Sequence, residues 1–155
     1  MTDRPKILVT QKVPDPAYPP LEAIGDVEAN MEEGSIWSYE ELLQRGPGHD
    51  YIYSLLTDNI DARFLEACAD STPRLKMVAN MAVGFNNIDV ETATRLRIAV
   101  SNTPGVLSDT TADLAFALLM ATARRIPEAE RFLRAGKYKG WGPLLFCGAD
   151  VHGST

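Results

Sequence analysis

The chain has 155 residues, of which 45% are apolar and 23% are charged, and its 15 basic and 21 acidic side chains give a formal net charge of −6. This length is typical of one soluble domain, or of one domain with an appendage, and it can bury a core without disulfides or a structural metal. Basic residues scattered through an acidic chain do not form the clustered cationic surface that phosphate contacts need. The composition therefore argues against a nucleic-acid or anionic-membrane partner.

The sequence has no segment typical of a membrane span, an export signal or a metal site. The longest apolar run, residues 114–121, is about half as long as a bilayer crossing requires. Neither Cys68 nor Cys147 stands at a zinc-ligand spacing, and the apolar run near the N-terminus is too short for a signal peptide. We therefore expect a cytoplasmic protein with two free thiols and no bound metal.

Short β-branched segments alternate with amphipathic segments through the first two thirds of the chain. Segments with the length and the composition of β-strands lie at residues 7–10, 27–30, 51–54, 77–80 and 98–101. Helical patterns lie between them at residues 21–25, 38–44, 61–69 and 90–96. Strands that lack a polar face and alternate with helices predict an α/β fold, with a five-stranded parallel sheet and helices on both of its faces.

The alternation stops after Ser101. Residues 102–105 are typical of a turn in which Pro104 presets the first central position and Gly105 takes a positive φ. This turn predicts a linker between the sheet and the remaining residues.

A predicted helix follows at residues 108–125, capped by Ser108 or Asp109. Its apolar side chains spread around the whole circumference, so we expect it to be buried by a second domain or a second subunit. Residues 128–135 predict a further helix. Residues 137–155 predict an extended, Gly-rich arm whose large apolar side chains need a protein surface to pack against.

The loop after the fourth predicted strand is the first candidate site. In an open α/β sheet, ligands bind at the carboxyl ends of strands, and Gly84 leaves the backbone accessible there. The N–H groups of Val83 and Gly84 could hold a small anion such as a carboxylate. In the alternative interpretation, Gly84 only turns the chain and Asp89 caps the next helix.

Residues 55–58 follow the third strand and form a second candidate, for which the alternative is a helix-entry loop capped by Asp58 or Asp61. The glycine pairs at residues 46–48 and 140–142 do not match a dinucleotide fingerprint, because neither follows a strand. His49 and His152 have no partner at metal-ligand spacing, and we expect both to be solvated.

Two stretches of sequence resemble one enzyme family. They are Asn-Met-Ala-Val-Gly-Phe-Asn-Asn-Ile-Asp at residues 80–89 and Val-Ser-Asn-Thr-Pro-Gly-Val-Leu-Ser-Asp-Thr-Thr-Ala-Asp-Leu-Ala-Phe-Ala-Leu-Leu-Met-Ala-Thr-Ala-Arg-Arg at residues 100–125. Together with the order of the elements, they resemble the D-isomer-specific 2-hydroxyacid dehydrogenases, and within these the glyoxylate/hydroxypyruvate reductase branch. The resemblance covers essentially the whole chain.

The resemblance implies a flavodoxin-like substrate-binding (catalytic) domain at residues 1–101. It implies that residues 102–155 form a linker, a dimerisation helix and an arm that lead into a Rossmann NAD(P)-binding domain missing from this chain. It also implies that the N–H groups of Val83 and Gly84 bind the substrate carboxylate, that Leu56 lines the substrate pocket and that Thr111 lies near the cofactor. The implied partners are a small 2-oxoacid or 2-hydroxyacid substrate and a second copy of the chain in a homodimer.

The implied reaction is hydride transfer from NADH or NADPH, which reduces glyoxylate or hydroxypyruvate to glycolate or D-glycerate. The cofactor fingerprint of the family and its catalytic Arg, Glu and His have no match in this sequence. We therefore expect a truncated reductase that is inactive by itself. The alternative, from a different functional class, is a non-catalytic flavodoxin-like module that serves binding or dimerisation.

Overall fold

The computed structural model describes residues 4–154, which divide into two compact units, one up to Gly105 and one from Val106 onward. The first unit contains five strands: β1 (Lys6–Val9), β2 (Asp26–Ala29), β3 (Tyr51–Leu55), β4 (Met77–Met81) and β5 (Ala99–Ser101). All neighbours pair in parallel, in the order β2-β1-β3-β4-β5. This is the order of flavodoxin-like sheets, and the predicted α/β class and parallel sheet are confirmed.

Helices lie on both faces of this sheet. They are α1 (Tyr18–Ile24), preceded by a 3₁₀ turn at Asp15–Ala17, then α2 (Tyr39–Arg45), α3 (Ala62–Ala69) and α4 (Val90–Arg95). On one face, α2, α3 and α4 bury a core that includes Leu42, Phe64, Leu65 and Ala93 together with Leu8, Ile52 and Val78 of the strands. On the other face, Tyr18 of α1 and Val9 of β1 belong to a smaller core.

Local capping explains where two of these helices begin. Ser38 and Glu41 form a reciprocal capping box at the start of α2, in which each side chain accepts a hydrogen bond from the other residue's N–H. Asp61 accepts a hydrogen bond from the Phe64 N–H at 2.9 Å and begins α3.

His49 is buried, and the prediction that it is solvated is wrong. Its Nδ1 lies 3.3 Å from the Gly46 carbonyl, and its Nε2 lies 3.5 Å from the Glu28 carboxylate on β2. The ring is enclosed because β2 supplies a partner far away in sequence, which spacing alone does not reveal. His152 is exposed, as predicted.

The two cysteines occupy different environments, and both are free thiols, as predicted. Cys68 on α3 has no exposed surface, and burial raises the pKa of its thiol to about 12. Cys147 is exposed.

The second unit begins with α5 (Ser108–Ala123), a helix of 16 residues, followed by α6 (Ile126–Arg134). The predicted capping of α5 by Ser108 or Asp109 is wrong. Leu107 holds the N-cap position with a helical backbone and no side-chain cap, and the Thr110 hydroxyl donates to the Leu107 carbonyl at 3.2 Å. The helix therefore starts one residue too early for Ser108 to serve as its cap.

The residues after α6 do not form the predicted extended arm. The Phe146 ring packs edge-to-face on Phe132 of α6 with centroids 5.0 Å apart, and the Arg125 guanidinium lies over Phe146. The Ala149 N–H donates to the Ala123 carbonyl at 2.9 Å. The segment folds back within its own unit because aromatic packing removes these large rings from water.

No residue of α5 is buried in the chain described. Leu114, Phe116 and Leu118 expose 60%, 63% and 59% of their surface. The sequence predicts that a second domain or a second subunit buries this helix, and its exposure in the single chain leaves that a prediction. Among residues 4–154, no helix combines the length and apolarity needed to cross a membrane.

Candidate functional site

The carboxyl ends of β3 and β4 lie side by side because the strands are parallel and Leu55 pairs with Met81 at their last residues. The loops that follow are joined as well. The Ile60 N–H donates to the Asn87 carbonyl and the Asp89 N–H donates to the Ile60 carbonyl, both at 2.9 Å. The two candidate loops predicted from the sequence therefore form one connected edge of the sheet.

A network of buried polar side chains fixes this edge. The Ser54 hydroxyl donates to Asn80 Oδ1 at 3.0 Å, and Asn80 Nδ2 donates to Asn87 Oδ1 at 3.1 Å. Asn87 Nδ2 in turn donates to the carbonyls of Leu55 at 3.1 Å and Asp58 at 3.0 Å. Because every link is satisfied, the network makes the loops rigid rather than leaving polar groups unpaired.

Asp58 connects β1 to the same edge. Its buried carboxylate accepts hydrogen bonds from the Thr10 hydroxyl at 2.5 Å and from the Leu55 N–H at 2.8 Å. Of the two caps considered for the helix after β3, Asp61 is correct and Asp58 is wrong, because Asp58 closes the loop back onto β1 and β3 instead.

Three successive carbonyl groups in the loop after β4 accept hydrogen bonds from the protein: Ala82 from the Thr103 N–H at 2.9 Å, Val83 from Asn102 Nδ2 at 2.8 Å and Gly84 from Asn80 Nδ2 at 3.0 Å. A trans peptide directs its carbonyl and the following N–H in opposite directions. The N–H groups of Val83, Gly84 and Phe85 therefore point away from these partners. Within residues 4–154, none of the three N–H groups donates a hydrogen bond to the chain.

Gly84 is exposed, and its φ lies outside the left-handed region. A Cβ at this position would lie 3.1 Å from Asn86 Oδ1 and would otherwise meet open space. The turn itself does not require glycine, and the missing side chain leaves the adjacent N–H groups accessible. Asp89 does cap α4, accepting from the Thr92 N–H at 2.9 Å, so this part of the alternative interpretation is correct.

The structure places three of the predicted site residues at this edge and one elsewhere. Leu56 directly follows β3 and is 68% exposed, and Val83 is 45% exposed beside Gly84. Thr111 lies on the first turn of α5 in the second unit, where its N–H donates to the Leu107 carbonyl at 3.0 Å.

The sequence does not single out Asn80, Asn87 or Asn102 as separate site residues, although they organise the loop. One signal was available for Asn80: an amide at the end of an apolar strand is buried only when other polar groups satisfy it. Its partner Ser54 is likewise the one serine of β3, and it lies between Tyr53 and Leu55. Asn102 gave no such signal, because Asn is common in turns.

The described residues do not fit a dinucleotide. A pyrophosphate cradle needs a Gly-rich turn between a strand and a helix, whereas residues 10–13 after β1 contain no glycine and residues 46–48 follow α2. The three N–H groups at Val83, Gly84 and Phe85 suit a small anion instead, since a carboxylate accepts several N–H hydrogen bonds at once.

The sequence and the fold both match known proteins. A family model for the D-isomer specific 2-hydroxyacid dehydrogenase catalytic domain matches residues 7–142. The chain is 44% identical to glyoxylate reductase from Thermococcus onnurineus, over 98% of this chain and 45% of that protein.

Two crystal structures are similar over nearly the whole chain. The TT0316 protein from Thermus thermophilus aligns with a TM-score of 0.84 and 36% identity, covering 94% of this chain and 45% of that one. The NADPH-dependent glyoxylate/hydroxypyruvate reductase from Sinorhizobium meliloti, in complex with NADP and malonate, aligns with a TM-score of 0.70 and 28% identity. This alignment covers 98% of the present chain and 44% of the reductase chain. The chain thus spans less than half the length of these relatives.

Proposed function

The chain belongs to the D-isomer specific 2-hydroxyacid dehydrogenase family, and on this basis we propose that it is the substrate-binding part of a 2-oxoacid reductase. One observation carries the proposal. Three consecutive N–H groups, of Val83, Gly84 and Phe85, are directed away from the protein at the carboxyl edge of a parallel sheet, where open α/β folds bind ligands.

We assign the carboxylate of the substrate to the N–H groups of Val83 and Gly84. Their orientation is set by carbonyls that are already hydrogen-bonded, so the donors need little reorganisation when an anion arrives. Leu56, exposed at the end of β3, provides an apolar wall for the part of the substrate beyond the carboxylate. The proposed substrates are glyoxylate and hydroxypyruvate, reduced to glycolate and D-glycerate, in keeping with the names of the relatives.

The cofactor is proposed from the family, not from this site. NAD or NADP supplies the hydride in such a reduction, and related enzymes that include an NADPH-dependent reductase support this choice. Thr111 is the residue we propose to lie near the bound cofactor. Residues 4–154 present the free N–H groups of Val83, Gly84 and Phe85 but no dinucleotide cradle, so we expect the chain alone to bind substrate without reducing it.

A homodimer is part of the proposal. Apolar side chains are exposed around α5, among them Leu114 and Leu118 one turn apart and Phe116 on another side of the helix, and we propose that a second copy of the chain covers part of this surface. A twofold contact would place the same helix on both sides of the interface.

An NMR titration of the ¹⁵N-labelled chain tests the carboxylate site. Sodium glycolate should shift the amide signals of Val83, Gly84 and Phe85, whereas ethylene glycol, which replaces the carboxylate by a neutral alcohol, should not. If glycolate leaves these signals in place, the site assignment fails. In a separate assay, oxidation of NADH or NADPH by glyoxylate should not be accelerated by this chain, and turnover would require a catalytic centre outside the proposed site.

A further inference from the structure

We propose that Asn102 is a positioning residue of the carboxylate site, whose side-chain amide directs the Gly84 N–H toward the substrate. The proposal rests on the assignment of the carboxylate to this loop. It adds a residue from outside the loop, just beyond the end of β5 and within the turn that leads to the second unit.

The hydrogen bond defines what Asn102 does. Asn102 Nδ2 donates to the Val83 carbonyl at 2.8 Å, although the two residues are 19 positions apart in sequence. Val83 C=O and Gly84 N–H belong to the same planar peptide and point in opposite directions. Holding the carbonyl toward Asn102 therefore keeps the N–H on the other side, which is the free side of the loop.

The neighbouring peptides are held by different means. The Ala82 carbonyl accepts from the Thr103 backbone N–H, and the Gly84 carbonyl accepts from Asn80, which also bonds Ser54 and Asn87. Among the described residues, the Asn102 side chain makes only the hydrogen bond to Val83. The Asn102 side chain can therefore be altered without breaking the buried hydrogen bonds that Asn80 makes with Ser54 and Asn87.

Without the hydrogen bond from Asn102, no side chain fixes the orientation of the peptide between Val83 and Gly84. The loop is exposed at both residues, so a rotated peptide could present its carbonyl to the anion instead. A hydrogen bond to a neutral amide has a modest net value, and we expect its loss to weaken anion binding about fivefold to tenfold.

The test compares variants of the full 155-residue chain by the same glycolate titration. Asn102→Ala removes the donor, and Asn102→Asp keeps the shape but presents a carboxylate to the Val83 carbonyl. Asn102→Gln retains an NH₂ group on a longer side chain. Asn59→Ala is the matched control, because Asn59 is an exposed amide on the loop after β3.

We expect Asn102→Ala and Asn102→Asp to weaken glycolate binding with an unchanged melting temperature, Asn102→Gln to recover part of the affinity, and Asn59→Ala to match the wild type. In the free Asn102→Ala chain, the Gly84 amide signal should already be displaced. Wild-type affinity in Asn102→Ala and Asn102→Asp would overturn the role of Asn102 and leave the carboxylate site intact. Loss of affinity accompanied by unfolding in all Asn102 variants would show a structural role and would also overturn it. No glycolate response in the wild type would overturn both proposals.

Discussion

Ser54 and Asn80 are register partners on β3 and β4, and the Ser54 hydroxyl donates a hydrogen bond to Asn80 Oδ1 at 3.0 Å. Asn87 Nδ2 approaches the same oxygen at 3.4 Å. With two donors on its oxygen, the Asn80 amide must turn its NH₂ group toward the Gly84 carbonyl, 3.0 Å away. A buried serine one strand away thereby fixes the orientation of the candidate loop.

Ser54→Ala should destabilise the chain and loosen the loop together. Ser54 and Asn80 are almost completely buried, so removing the hydroxyl leaves the amide oxygen with a weaker partner, and we expect a loss of about 1 kcal/mol in the free energy of unfolding. Urea denaturation measures this loss. Ser108→Ala, at an exposed serine that caps nothing, is the control, and an equal loss in both variants would contradict the role given to Ser54.

Gly84→Val should weaken glycolate binding by about tenfold or more while leaving the fold intact. The backbone at Gly84 does not need a positive φ, and the added Cβ meets only Asn86 Oδ1 at 3.1 Å, so folding tolerates the change. The branched side chain nevertheless stands next to the N–H groups to which we assign the anion. Asn86→Val, at the exposed position two residues along, is the matched control. Equal affinity in both variants would count against the assigned site.

The local sequence predicts the sheet well because its strands are short segments, and the three central ones, β1, β3 and β4, carry buried apolar residues that their composition reveals. Residues 51–54 and 77–80, for example, lie within β3 and β4. Asp61 and Asp89 could also be identified as caps, since a cap depends on residues three positions away.

The contacts that shape the site could not be predicted in the same way, because they join residues far apart in sequence. Ser54 and Asn80 are 26 positions apart, and Val83 and Asn102 are 19 positions apart. His49 is buried for the same reason, through Glu28 on another strand. Composition marks such residues as polar, but only the fold decides whether they are solvated or paired.

Asp50 should make stability depend on pH in the acidic range. Burial raises the pKa of Asp50, but hydrogen bonds from the Lys76 ammonium and the Lys6 N–H, each at 2.9 Å, outweigh it and hold the pKa below its ordinary value. The same pairing raises the pKa of Lys76. A carboxyl whose pKa is lower in the folded state stabilises the fold above the unfolded value of about 3.9, and this contribution is lost as the pH falls through the lower folded value.

We therefore expect Asp50→Asn to destabilise the chain most near neutral pH, with a difference from the wild type that shrinks below about pH 4. Urea denaturation at several pH values measures the difference in the free energy of unfolding between Asp50→Asn and the wild type. Asp15→Asn, which removes the same charge at an exposed position, is the control. A difference between wild type and Asp50→Asn that stays constant with pH would refute the linkage.

Association through α5 should be detectable by sedimentation at micromolar concentration. Burying apolar surface contributes about 25 cal/mol per Å², and the exposed side chains of Leu114, Phe116 and Leu118 offer such surface along one helix. We expect the wild type to dimerise and Leu118→Glu to shift the equilibrium toward the monomer. Glu91→Lys, a charge change on α4 in the first unit, should leave it unchanged. A wild-type chain that remains monomeric would exclude this interface.

The contrast between Cys68 and Cys147 gives the chain a natural attachment point for a spectroscopic probe. Maleimides and other thiol reagents need an accessible thiolate, which Cys68 cannot provide because it is fully buried and the pKa of its thiol is raised to about 12. Cys147 is exposed in the segment that folds back on α6. A fluorophore or spin label will therefore attach to the second unit alone, without any engineered substitution, and leave the sheet and its carboxyl edge chemically untouched.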